Sequence, residues 1–213
     1  MKNQTLKTHT SKCKYFTAKS IFISLVCVFG FWSLIFNFNI AHAGVCNWRF
    51  PDKDIQTLFP KATGYKTEVL TYSKTERVKI ESLLGAKLDD DETQFNFYRI
   101  YKGTEKIGLV LTHSVKGQYG AIEVVVGLGN KNDTITKSNK TIINRVLIQR
   151  DREVKSKELR SSKFLDQFIG KSVKSKFDNI DLVSGAEKSS NAIIFSVRKL
   201  LIVQTILNKG KTQ

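Results

Sequence analysis

The chain has 213 residues, enough for one ordinary domain and a leader. Hydrophobic residues make up 41% and Pro occurs only twice, which excludes a disordered or low-complexity chain. The formal charge of +16 says little about fold. It suits an anionic partner, whether nucleotide, phosphate, lipid headgroup or acidic protein, or simply a basic surface.

Residues 2–19 are basic, Ile21 to Phe36 form an apolar run, and Ala41-His42-Ala43 follows. Charged region, apolar core and A-x-A site in that order describe a secretory signal, with cleavage before Gly44. The same run left uncut would be an anchor. Either way residues 44–213 are expected outside the cytoplasm, in a periplasm-like compartment. From position 44 on, thirty Lys and Arg stand against nineteen Asp and Glu, a formal +11. Cys46 is the one cysteine left there, so no internal disulfide forms within that part.

Asp54 to Leu58 reads as one helical turn ended by Phe59-Pro60, and Thr67 to Tyr72 as a short strand. Ser73-Lys74-Thr75-Glu76 has the form of a capping box. Val78, Ile80, Leu83 and Leu84 follow at helical spacing up to Gly85. Asp89 to Glu92 reads as a solvated acidic loop. Alternation then predicts four strands: Phe95–Tyr101, Ile107–Val115, Ile122–Leu128 and Ile142–Ile148. Their turns are Lys102-Gly103, Lys116–Gly120 and the longer Asn130–Lys140. Close meander turns favour an antiparallel sheet with one face buried.

Asp151 to Arg160 is charged and expected at the surface. Ser162 to Ile169 reads as a helix with Phe164, Leu165 and Phe168 inward, stopped by Gly170. Lys171, Lys174 and Lys176 make a basic patch. Ile180 to Val183 reads as a short strand turning through Ser184-Gly185-Ala186 into a last helix, Ser189 to Leu207. That helix carries a broad apolar face of Ile193, Ile194, Val197, Leu200, Leu201 and Ile206. Strands and helices segregate, so the expected class is α+β: an antiparallel sheet of four to six strands with flanking helices and a C-terminal apolar helix. Residues 44–213 are expected to be one domain.

Chemistry concentrates at the start of the last helix. A turn of Ser184, Gly185 and Ala186 leaves helix N-terminal N–H groups clear of bulky side chains, and such groups take anions, typically a phosphate. Elsewhere no nucleophile–base pair stands out. His113 sits in a strand, where a local hydrogen bond is the simpler expectation than a general base. One Cys and one His after position 43 do not make a zinc or haem motif.

Four stretches together resemble the FMN-binding domain family over about Leu58 to Leu201. They are LFPKA (58–62), KIGLVLTHSVKGQYGAIEVVVGL (106–128), KFLDQFIGK (163–171) and DLVSGAEKSSNAIIFSVRKLL (181–201). The last is similar to the family's D-x-x-S-G-A-T-x-S-S flavin motif. Members include flavoprotein subunits of sodium-translocating and ferredoxin-linked quinone reductases and a membrane regulator of nitrous-oxide reduction. The resemblance implies an extracytoplasmic, membrane-associated flavoprotein that holds FMN and transports electrons among membrane-bound electron-transfer proteins. It implies no nucleic-acid partner.

In many members the motif Thr carries the FMN phosphate as an ester made by a flavin transferase. Here Glu187 stands at that position, and a carboxylate does not accept that hydroxyl-type link. The expectation is therefore FMN bound without a covalent bond. Ser184, Gly185 and Ala186 would supply backbone donors, Lys188 and Ser189 would meet the phosphate, and Tyr119 would contact the ring. Glu187 would repel that phosphate by about 1 kcal/mol at 4 Å in water and more in a drier site. Lys188, Lys171 and Lys174 are the cations available to offset it. Ser184-x-x-Glu187 is also a capping-box pattern. A second expectation, of another class, is a flavin-free binding or assembly module on the same scaffold.

Overall fold

The structure is a computed structural model, and it describes residues 51–129 and 141–209. The expected leader, Cys46 and the loop Asn130–Lys140 lie outside the described residues. Residues 43–213 form one compact unit by themselves.

The first helix, α1, covers Pro51–Leu58, longer than the turn expected from the sequence. Pro is well suited to the first helical position, where its missing N–H costs nothing. Strand β1 (Gly64–Thr71) leads into α2 (Lys74–Leu84), whose capping box forms as expected. Glu76 N–H donates to Ser73 Oγ at 3.2 Å, and Ser73 N–H donates to Glu76 Oε2 at 2.8 Å. Gly85 ends the helix with φ of 73°, a left-handed conformation that side chains resist.

Strands β2 (Gln94–Lys102), β3 (Glu105–Lys116), β4 (Ala121–Gly129) and β5 (Ile142–Arg150) complete a five-stranded antiparallel meander in chain order. Two four-residue helical turns follow, α3 (Ser156–Leu159) and α4 (Ser162–Leu165), then a 3-10 turn at Asp166–Phe168. Phe164, Leu165 and Phe168 point inward as expected. The last helix, α5, runs Glu187–Lys209. The class is α+β.

The main core lies between α5 and one sheet face. Val197, Leu200 and Leu201 meet Leu111, Val124, Val126 and Ile143, with Ile80 of α2 and Phe168 closing the sides. At roughly 25 cal/mol per Å² of apolar surface, this burial is the largest favourable term. Contrary to the one-sided sheet expected, the centre is buried on both faces. Ile55, Leu58 and Phe59 pack with Tyr98, Ile100, Val110 and Val125 on the reverse side. Gly108 makes this possible, because a Cβ there would overlap the Phe59 ring. Residues Val124, Val125 and Val126 are consequently all buried, a continuous apolar run in place of an alternation.

Three further expectations are corrected. No strand forms at Ile180–Val183; the segment is an irregular loop that leads into the turn at Ser184 and Gly185. Its polar backbone is satisfied by a side chain: Asp181 N–H donates to Gln167 Oε1 at 2.8 Å, and Gln167 Nε2 donates to Asp181 O at 3.2 Å. The last helix begins two residues earlier than expected, at Glu187. Finally, Asp151–Arg160 is not simply a surface segment, since Leu159 is fully buried and Glu153 nearly so.

Candidate functional site

The start of α5 meets two other pieces of chain: the β3–β4 turn at Gly117–Gly120 and the segment after β5. Glu153 joins them. Its Oε1 accepts from Tyr119 N–H at 3.0 Å, and its Oε2 accepts from the Ser189 hydroxyl at 2.5 Å. Ser189 Oγ in turn accepts from Gln118 N–H at 3.1 Å. Glu153 is only 6% exposed, so these donors replace the water its carboxylate gave up. A Cβ on Gly117 would collide with Oε1, which is why a glycine opens this turn.

Ser190 is the other fixed point. Its hydroxyl accepts from Val183 N–H at 3.1 Å, and its own N–H donates to Ala186 O at 2.8 Å. Gly185 adopts φ of 77°, a left-handed turn conformation. Ala186 is buried beneath the turn, while Ser184 and Gly185 are exposed.

Glu187 folds back over this turn. Its Oε1 accepts from Gly185 N–H at 2.9 Å. The capping box that the Ser184-x-x-Glu187 spacing suggested is not made, because the helix starts at Glu187 itself and the carboxylate takes Gly185's amide. The Glu187 carboxyl is held below its ordinary value, first by that Gly185 hydrogen bond and then by its own backbone amide. It is an anion at neutral pH, seated where amides are most attractive to anions.

The expected site residues are thus gathered unevenly. Ser184, Gly185, Ala186 and Glu187 share the turn. Lys188 is exposed on the first helical turn. Ser189 points inward, with no exposed surface. Tyr119 is brought near through its backbone, and its ring is 57% exposed. Lys171 is engaged elsewhere, donating to Lys176 O and Asn179 Oδ1. Among the described residues no cation pairs with Glu187. The cation beside the turn is Lys155, whose Cε would lie 3.8 Å from a Cβ on Gly185. Glu153 and Lys155 were both missed by sequence reading. No local signal marks them, since their contacts span about thirty residues.

A phosphate at this helix start would have to displace the resident carboxylate or share its amides with it. The residues present therefore do not fit the phosphate of FMN as they stand. An open cavity of about 360 Å³ lies further along the same helix, lined by Phe177, Ile180, Leu182, Ile194, Phe195 and Arg198 among others.

A second polar cluster sits mid-helix. His113 Nδ1 lies 2.8 Å from Ser196 Oγ, and Lys199 Nζ lies 3.1 Å from His113 Nε2 and 2.5 Å from Glu92 Oε2. An ammonium only donates, so Nε2 accepts and the ring proton is on Nδ1, donating to Ser196. That is the reverse of a serine activated by a histidine, and Ser196 is fully buried. The cluster is not hydrolytic machinery. It also ties Glu92 to the core helix, so the acidic loop is anchored at that end and not merely solvated.

Protein-family models gave no match to the chain, and no curated protein matched it.

Proposed function

We propose that this chain is an extracytoplasmic binding or assembly module built on a flavodomain-like scaffold, working without a bound flavin. One observation carries the reading: the Glu187 carboxylate accepts the Gly185 amide at 2.9 Å, at the turn the motif resemblance assigns to the FMN phosphate. The neighbouring hydroxyls do not replace the missing Thr. Ser189 and Ser190 are both buried and already hydrogen-bonded. A flavin transferase therefore has no accessible hydroxyl at this turn except Ser184, which precedes the motif position.

The competing reading, noncovalent FMN and electron transport with membrane-bound electron-transfer proteins, is favoured by the cavity beside α5. Its volume of about 360 Å³ falls within the range of small-molecule sites. Glu187, Asn191, Ile194 and Arg198 recur at helical spacing, so the helix start and the cavity share one side of α5. Binding would require Glu187 to leave its amide.

Titration of the purified protein with FMN, followed by flavin absorbance and fluorescence, separates the two. The module reading expects no binding by the natural chain. It expects a gain of noncovalent affinity in Glu187→Thr, and FMN attachment only when that variant is given a flavin transferase with FAD as the donor and AMP as the leaving group. Tight FMN binding by the natural chain overturns it.

A further inference from the structure

The end of the molecule built around Glu153 also carries two exposed apolar side chains, one of them the Tyr119 that the FMN reading sets against the ring. Val154, next to the buried Glu153, is 73% exposed, and Tyr119, held by the same carboxylate, is 57% exposed. Both sit beside the hydrogen-bonded Glu153. Glu153 is pinned by Ser189 and Tyr119, and its own N–H donates to Asp151 Oδ1 at 3.0 Å. Around them stand Lys116, Arg152, Lys155, Lys157 and Lys188. Arg152 packs its stem beside Gly120, with Cβ 3.6 Å from a Cβ built there, and Lys155 lies beside Gly185. Against these five cations stand the carboxylates of Glu158, paired with Lys155 at 3.4 Å, of Glu187, of the buried Glu153, and of Asp151, which pairs with Arg160 at 2.6 Å. The cavity at α5 is lined by other residues.

We propose that this end docks on an anionic phospholipid surface. Tyr119 and Val154 enter the headgroup region, and the surrounding Lys and Arg meet lipid phosphates. An aromatic with a polar tip suits the membrane–water boundary. Basic side chains around a small apolar tip suit an anionic leaflet. An acidic protein with a socket for this projecting tip is the alternative that the test separates.

The test uses residues 43–213, the compact unit, to keep the apolar run Ile21–Phe36 from binding lipid itself. Flotation is measured with phosphatidylcholine vesicles and with vesicles containing about one-third phosphatidylglycerol. The protein is expected to float with the anionic vesicles only, and added salt is expected to release it. Lys155→Ala with Lys188→Ala should weaken binding roughly twenty-fivefold, about fivefold for each cation. Tyr119→Ser with Val154→Ser should weaken it at least as much without changing net charge. Lys79→Ala, on the exposed side of α2, serves as the control and should leave binding within about twofold. Absence of flotation overturns the proposal and leaves an acidic protein as the fitting partner. Equal loss from Lys79→Ala, or no loss from the Tyr119 and Val154 pair, overturns it as well, since binding would then be a matter of net charge.

Discussion

Two polar clusters hang on the same helix, and they are built on opposite principles. At the first turn of α5, Glu153 is a buried carboxylate held by neutral donors: one amide and one hydroxyl. Three turns on, Glu92 is held by a buried ammonium, with His113 wedged between them and Ser196. The first cluster shapes loops and, among the described residues, forms no ion pair. The second balances charge and couples to pH. Hydrogen bonds from neutral groups fix geometry, whereas an ion pair out of water makes each partner depend on the other.

The largest break in this comparison is Lys199→Met. It leaves Glu92 without its cation in a nearly dry place, and about 3–5 kcal/mol of stability should go, read as a lower urea midpoint. Glu153→Ala should cost less, about 2–3 kcal/mol, because it strands the Tyr119 amide and the Ser189 hydroxyl but no charge. A smaller loss from Lys199→Met than from Glu153→Ala would reverse the distinction drawn above.

The pH dependence sharpens the same contrast. Burial holds the His113 imidazole below its ordinary value of 6.5, with the Lys199 charge pushing the same way and Glu92 opposing. The unfolded chain therefore binds more protons below about 6.5, and stability falls as pH drops from there. Glu92 extends the loss. Burial would raise its carboxyl, but His113 and Lys199 beside it hold it below 4.5, so the stability it confers disappears as pH falls through that lowered value. Urea melts between pH 8 and about 5 should show this decline, and His113→Gln should flatten its upper part.

Smaller effects calibrate the helix starts. Ser73→Ala removes a complete capping box and should cost about 1 kcal/mol in the same melts. Glu187→Thr should change stability least of all, as the carboxylate is exposed and makes one hydrogen bond to a turn amide. Its consequence is expected in flavin attachment, as set out above.

The elements themselves were largely legible. Helix α2 announces itself by Ser73, Glu76 and Gly85, all acting within a few residues. The meander strands follow from alternation and glycine turns. The inward faces of α5 and of Ser162–Phe168 follow from spacing. Where expectation failed, the deciding partner was far away in sequence. Ile180–Val183 looks like a strand, but Gln167 takes its backbone groups. Asp151–Arg160 looks solvated, but Glu153 is drawn inward by a turn 34 residues earlier.

The same division runs through the site. Sequence alone settled that a small-residue turn opens an apolar helix and that an acid, Glu187, follows that turn, because identity and spacing are local facts. Only the tertiary structure decided where that acid points, which serines face inward and which cations stand nearby. Those outcomes depend on hydrogen-bond donors brought together by the meander and by α5, and chain folding alone sets such distances.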